Sequence, residues 1–345
     1  MAVCLLAALG FSRFGPFAPK NRPESNARPL LEFAGPTMGT HYTVKVIAAL
    51  DPSGRDQLRQ AIHESVDSID RMMSTWKPDS ELSRFNRHAD TSPFPVSPEM
   101  IQIFQDARAV SEASRGAFDV TVGPIVNAWG FGPEKKSSPP PDEEIAGLLE
   151  RVGFEMIEID VESSTLRKTR PDLYCDLSGI AQGFAADKTA EMLESMGYQD
   201  YMVDISGEFR AKGLNASGEP WQIAIELPDA PERTAKLVVP LSDRALATSG
   251  DYRNYFEKDG TRFSHEIDPT TGRPIGHKLA SASVIMDRCS LADAYATALM
   301  VLGPDKGLEL AARLHLPAFL LVRNDAGGFD SLETPEFATI INSKE

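Results

Sequence analysis

The chain predicts an α+β fold, with mixed, largely antiparallel sheets and packed helices in a single compact domain. Segments that alternate like strands follow one another across short turns, as at Glu155 to Ile159 with Thr165 to Lys168 and around Lys258-Asp-Gly260. Helical segments are interspersed among these hairpins without the strict strand–helix alternation of a doubly wound parallel sheet. No internal repeat of fixed short period is present.

The elements are justified in order. His41 to Ile47 alternates like a strand. Gln57 to Met73 carries Leu58, Ile62, Val66, Ile69 and Met73 at helical spacing and predicts an amphipathic helix. Ser74 to Asn86 is a polar loop carrying Trp76. Ser97-Pro98-Glu99 starts a helix with a cap and a proline at its first position, running to about Ser114 before Gly116. A Pro-rich loop, Gly132 to Pro141, precedes a short helix from Asp142 to Arg151. Ser178 is placed to cap a helix to about Met196, closed by Gly197. Strands are expected at Tyr201 to Ile205, Trp221 to Glu226, Leu237 to Leu241, Ala245 to Ser249, Tyr252 to Glu257 and Ser281 to Met286. The last of these leads into a helix ending at Gly303-Pro304. A helix at Lys306 to Leu314 and a strand at Ala318 to Val322 complete the chain.

With 345 residues the sequence favours one large domain or two intimate ones. Residues 1–30 read as an apolar segment plus linker, and 31–345 as the folded domain. The formal net charge of −15 makes nucleic acid a poor partner, and an anionic substrate would need a cation or local dipoles to screen it. Cys4, Cys175 and Cys289 form neither a disulfide framework nor a zinc motif. Ala2 to Phe11 is apolar but too short to span a bilayer. Cys4 follows Met-Ala-Val much as a lipoprotein acceptor would, so we read an export or lipoprotein signal whose start lies upstream. A plain apolar tail is the alternative.

Two distant stretches carry most of the chemistry. In Ser290-Leu-Ala-Asp-Ala-Tyr-Ala-Thr297, Asp293 and Thr297 lie one helical turn apart on a small apolar face. Such oxygen ligands suit a hard cation such as Mg²⁺, though a first-turn Asp also serves a helix dipole. Asp176-Leu-Ser-Gly-Ile-Ala-Gln-Gly-Phe-Ala-Ala-Asp187 joins an extended segment to a helix through small residues. Its helix N-terminus suits phosphate, and the same pattern serves close packing and capping. His265 precedes an Asp-Pro-Thr-Thr-Gly turn, where a histidine can be a base, a phosphate donor or structural. Trp76 could stack on a planar ring or anchor its loop. In Gly116-Ala-Phe-Asp119, Phe118 suits core and Asp119 a ligand hydroxyl or amine.

Six stretches occur in the order found in one family. They are Gly35-Pro-Thr-Met-Gly-Thr40, the Ser74 to Asn86 loop, Gly116 to Pro124, Asp176 to Gly183, Ser264 to Gly272 and Leu291 to Ala298. The sequence resembles the ApbE-type FAD:protein FMN transferases from about Glu32 to the last helix and strand. The resemblance implies that Met38, Trp76, Ala117, Phe118, Asp119 and Asp176 contact FAD. It puts His265 and Gln182 near the phosphates. It implies a Mg²⁺ site from the carbonyls of Gly179 and Ser290 with the side chains of Asp293 and Thr297, so that His265 and Asp293 carry the catalysis. Relatives commonly have Lys where this chain has Gln182, which removes a positive charge there.

The implied reaction moves FMN from FAD to a Ser or Thr hydroxyl of an acceptor protein and releases AMP. The implied acceptor is a membrane redox subunit met in the periplasm, with the enzyme tethered to the inner membrane. Two alternatives share these residues: an FAD pyrophosphatase yielding FMN and AMP, and a non-catalytic FAD carrier.

Overall fold

The computed structural model describes residues 28–133, 136, 138–229, 234–252, 255–258 and 261–342. An eight-stranded sheet forms its centre. Its strands are β1 (Leu30–Thr37), β2 (Thr40–Ile47), β3 (Tyr201–Ile205), β4 (Glu208–Lys212), β5 (Arg244–Gly250), β6 (Leu279–Met286), β7 (Ala318–Arg323) and β8 (Phe329–Glu333). They lie side by side in chain order, each neighbouring pair antiparallel. The α+β expectation therefore holds, and the family of folds is a meander with long insertions between its strands.

The helices are α1 (Pro52–Met73), α2 (Glu81–Arg87), α3 (Pro98–Ser114), α4 (Gly123–Ala128), α5 (Asp142–Leu149), α6 (Ala181–Ser195), α7 (Cys289–Arg313) and α8 (Pro335–Asn342). α1 buries Leu58, Ile62, Val66, Ile69 and Met73, the stripe its spacing predicts. The expected Ser97 cap accepts from the N–H of Met100, with Pro98 behind it. α7 breaks at Gly303 (φ +78°) and resumes, which reconciles the two helices expected around Gly303-Pro304.

Both faces of the sheet are covered. On one, Val44, Val46, Val203, Ile205 and Val284 meet Ile62 and Val66 of α1, Phe104 of α3, Phe184 of α6 and Leu299 of α7. On the other, Met202, Leu246, Ile285 and Phe319 pack on Phe337 of α8 and on a hairpin of Trp221–Glu226 with Ala235–Leu241. β6 is consequently buried at every position before Met286. Burial on both faces stabilises the fold by about 2 kcal/mol per large apolar side chain.

Several elements differ from expectation. β1, β4, β8, α2, α4 and α8 were not anticipated. β4 is short and charged (Glu-Phe-Arg-Ala-Lys), and α2 hides in the polar loop after α1. The strand expected from Tyr252 begins at Tyr255 and pairs with Thr261–Ser264. Its turn residues 259–260 lie outside the described residues, as do part of the Pro-rich loop and the Cys4 segment. The boundary expected at 30/31 falls on the first residue of β1. Arg28 is already bound, donating to Asp200 (2.6 Å) and to the carbonyl of Asn215 (2.7 Å).

Candidate active site

The strand register brings the β1–β2 turn, the β3–β4 turn and the end of β5 to one end of the sheet. A cavity of about 1010 Å³ opens there. The start of α6, one face of α7 and the loops after α1 and α3 complete its wall. Met38, Trp76, Ala117, Phe118, Asp119, Asp176, Gly179, Gln182, His265, Asp293 and Thr297 all line it. Ser290 does not. It is fully buried behind the wall, its N–H donates to Asp187, and its hydroxyl oxygen has no partner among the described residues.

Local structure explains each placement. Thr37 and Thr40 pair across a two-residue turn in which Met38 (φ +47°) and Gly39 (φ +73°) are both left-handed. A methionine there costs about 1 kcal/mol, a strain of the kind that collects at binding sites. The loop after α1 is braced by Ser80, which donates to the Ser74 carbonyl (2.7 Å) and caps α2 by accepting from Ser83 (2.9 Å). Trp76 is 55% exposed at the rim, so it does not anchor that loop. Left-handed Arg115 and Gly116 end α3 and turn Ala117 and Phe118 inward. Both Asp119 oxygens already accept protein donors: Oδ1 from Thr121, and Oδ2 from the Phe154 N–H at 2.9 Å. Burial nevertheless pushes that carboxyl above its ordinary range, against those bonds.

The Asp176–Asp187 stretch corrects one expectation. Ser178 does not cap α6. Its N–H and hydroxyl both turn back to Asp176 Oδ1, and the cap position falls on Ile180, which has no side-chain acceptor. The acceptor comes from α7 instead: Asp293 Oδ2 accepts from the Gly183 N–H at 3.0 Å. α7 also lacks a local cap, and Asp187 of α6 supplies it, accepting from Cys289 (2.8 Å) and Ser290 (2.9 Å). The two helices thus cap one another. They touch so closely that a Cβ on Gly183 would lie 2.4 Å from the Cys289 carbonyl oxygen. The α6 N-terminus expected to face phosphate therefore has one of its first-turn donors engaged by Asp293.

Charge is distributed unevenly around the cavity. The lining carboxylates are Asp70, Asp119, Asp176, Asp204, Glu208, Glu226, Glu266 and Asp293, against Lys77 as the lysine or arginine among the described lining residues. Lys77 is itself paired with Asp70 at 2.8 Å. Asp293 is pushed up to about 7, first by burial and then by the charges of Glu266 and Asp187, with the Gly183 N–H opposing. Glu266 is also raised by burial, with His265 opposing from 3.6 Å. His265 meets the edge of Phe131, ring centroids 6.3 Å apart.

These residues fit a hard cation. Thr297 Oγ1 lies 3.2 Å from Ser249 Oγ, and a Cβ on Gly179 would lie 3.2 Å from Thr297 Oγ1. The Thr297 hydroxyl and the Gly179 backbone therefore lie together, one helical turn along α7 from Asp293, a carboxylate held against its charged form, the situation a bound cation reverses. No group of three or more His, Cys, Asp or Glu side chains suited to a metal occurs among the described residues. A cation here would draw on hydroxyl and carbonyl oxygens as well as on Asp293. Sequence reasoning missed Ser249, Glu266 and the capping role of Asp187. Glu266 was adjacent to a recognised histidine, whereas Ser249 and Asp187 act through contacts 48 and 102 residues away in the chain.

A model of the ApbE family matches residues 38–320. The FAD:protein FMN transferase of Vibrio cholerae serotype O1 is 44% identical over 298 residues, 86% of this chain and 89% of that protein. That of Escherichia coli K12 is 38% identical over 347 residues, covering 99% and 98%. Among solved structures, the flavin transferase ApbE from Vibrio cholerae matches with TM-score 0.83 at 41% identity, covering 90% of this chain and 99% of that one. The apo flavinyl transferase ApbE of Pseudomonas stutzeri matches with TM-score 0.83 at 38% identity, covering 92% and 99%.

Proposed function

The chain belongs to the ApbE family, and we propose that it is an FAD:protein FMN transferase that depends on Mg²⁺. The observation that carries this reading is convergence. Residues from six separated motifs meet on one cavity of about 1010 Å³, large enough for a dinucleotide.

In this reading a Ser or Thr hydroxyl of the acceptor protein attacks the phosphorus on the FMN side of FAD. A new O–P bond forms, the bridging P–O bond breaks, AMP leaves with the bridging oxygen, and the hydroxyl loses its proton. Met38, Phe118 and Trp76 hold the flavin, with the Trp76 ring exposed at the rim where it can stack. Asp176 and Gln182 orient polar parts of FAD, and His265 holds phosphate oxygens. Asp293, Thr297 and the carbonyls of Gly179 and Ser290 would hold Mg²⁺, which would supply positive charge against the charge developing on the pyrophosphate. Positioning and electrostatics do most of the work in such transfers.

The reading extends to place and partner. The apolar Ala2 to Phe11 run and Cys4 support export and tethering at the inner membrane, with a membrane redox subunit as acceptor. Incubation with FAD and Mg²⁺, with and without an acceptor protein, tests the activity. Added FMN mass on the acceptor and stoichiometric AMP are expected. Free FMN and AMP formed equally well without acceptor would instead make the protein a pyrophosphatase. Asp293→Ala should abolish Mg²⁺-dependent transfer, and full retention would remove Asp293 from the metal site.

A further inference from the structure

We propose that Asp187, which does not line the cavity, is the positioning residue of its cation-binding face. This inference rests on the Mg²⁺ reading of Asp293.

Asp187 is 5% exposed and sits in the second turn of α6. Its two oxygens take the N–H groups of Cys289 and Ser290, one each, at 2.8 and 2.9 Å. Two bonds to consecutive amides fix both the height and the rotation of the first turn of α7. Ser290 and Asp293 lie on that turn and the next, so their oxygens are set by the same two bonds. α7 has no local substitute, because its cap residue Arg288 contributes no side-chain acceptor. Arg288 is instead tied to Asp106 of α3, which holds the approach to the helix but not its rotation.

The opposite cap closes the loop. Asp293 Oδ2 is aimed by the Gly183 N–H of α6, one turn before Asp187. Displacing either carboxylate therefore disturbs the other helix's start, and a cation held by Asp293 would feel a change at Asp187 without touching it. Residues that orient metal ligands in this indirect way affect affinity about 10–100-fold.

The test is calorimetric titration of Mg²⁺ into the FAD-free protein, with thermal unfolding of every variant alongside. Asp187→Asn keeps the volume but offers one acceptor oxygen and sets an N–H₂ against an amide. It is expected to weaken Mg²⁺ about 10–100-fold while remaining folded. Asp187→Glu, which retains both oxygens, should recover part of that loss. Phe337→Ala, a cavity in the core on the opposite face of the sheet, should lower thermal stability and leave Mg²⁺ affinity unchanged. Equal affinity in Asp187→Asn and wild type, with binding lost in Asp293→Ala, overturns the positioning role and leaves the metal reading standing. An equal loss of affinity in Phe337→Ala would reduce Asp187 to a fold-stabilising residue and also overturn it. No Mg²⁺ binding by the wild type would overturn the metal reading itself, and this inference with it.

Discussion

Asp293 serves two masters, a backbone amide of α6 and the cavity. In the metal-free protein its carboxyl is pushed up to about 7, against an ordinary value near 4. Between those two values the folded state keeps a proton that the unfolded state has lost. Stability of the metal-free protein should therefore fall as pH rises from about 4 to about 7, and level off above. Asp293→Asn should make that part of the profile less steep, the raised carboxyls of Asp119 and Glu266 still contributing, as read by chemical denaturation at a series of pH values. An unchanged slope would place the titration elsewhere. Gly183 offers a second test at the same contact. Gly183→Ala drives a Cβ into the Cys289 carbonyl and should cost about 1–3 kcal/mol of stability and most of the transfer activity. Gly276→Ala, where a Cβ meets nothing within 4 Å, should alter neither.

At the scale of elements, the segment delivering Asp176 to the cavity has little regular structure and is held by two side chains. Asn86, at the end of α2, both donates to the Cys175 carbonyl and accepts from the Cys175 N–H, each at 2.8 Å. Buried Lys168 donates to the carbonyls of Asn86 (3.2 Å), Pro171 (3.0 Å) and Leu173 (3.4 Å). Asn86→Ala should leave two backbone groups unpaired, lower stability by about 2 kcal/mol and raise KM for FAD more than it lowers kcat. A kcat loss alone would argue against a part in seating FAD. These clamps also show where sequence reading stops. Helix starts with a local cap, such as Ser97, were legible because acceptor and amide lie within three residues. α6 and α7 were given the wrong cap or none because their acceptors come from each other, across more than 100 residues. α2 was missed although Ser80, Leu82 and Phe85 carry a cap and an apolar i, i+3 pair, since its seven residues make only about two turns in a polar stretch. The motif residues were legible because each motif holds chemistry and small residues together. Ser249 was not, being one of two adjacent hydroxyls on an ordinary strand.

For the molecule as a whole, the α+β class followed from hairpins and amphipathic helices, while strand order could not be read because neighbours in the sheet are separated by insertions of up to 153 residues, from Ile47 to Tyr201. The acidic balance of the whole chain, −15, is concentrated again at the cavity, where, among the described residues, eight carboxylates face one already paired lysine. Gln182 stands at that wall without charge. A substrate with a pyrophosphate thus enters a negative field that the described lining side chains do not offset. Divalent cation and FAD should consequently bind with strong mutual assistance. FAD fluorescence or calorimetric titration is expected to show affinity at least about tenfold higher with Mg²⁺ than with EDTA, a coupling of at least about 1.4 kcal/mol. The same coupling must appear in Mg²⁺ affinity with and without FAD. Rising KCl screens the field without occupying the Asp293 face, so it should recover only a small part of the effect. Recovery of the whole effect by KCl would mean that general screening, and not a cation held at Asp293 and Thr297, admits the substrate. Gln182→Lys should narrow the difference between Mg²⁺ and EDTA by returning one positive charge to the wall.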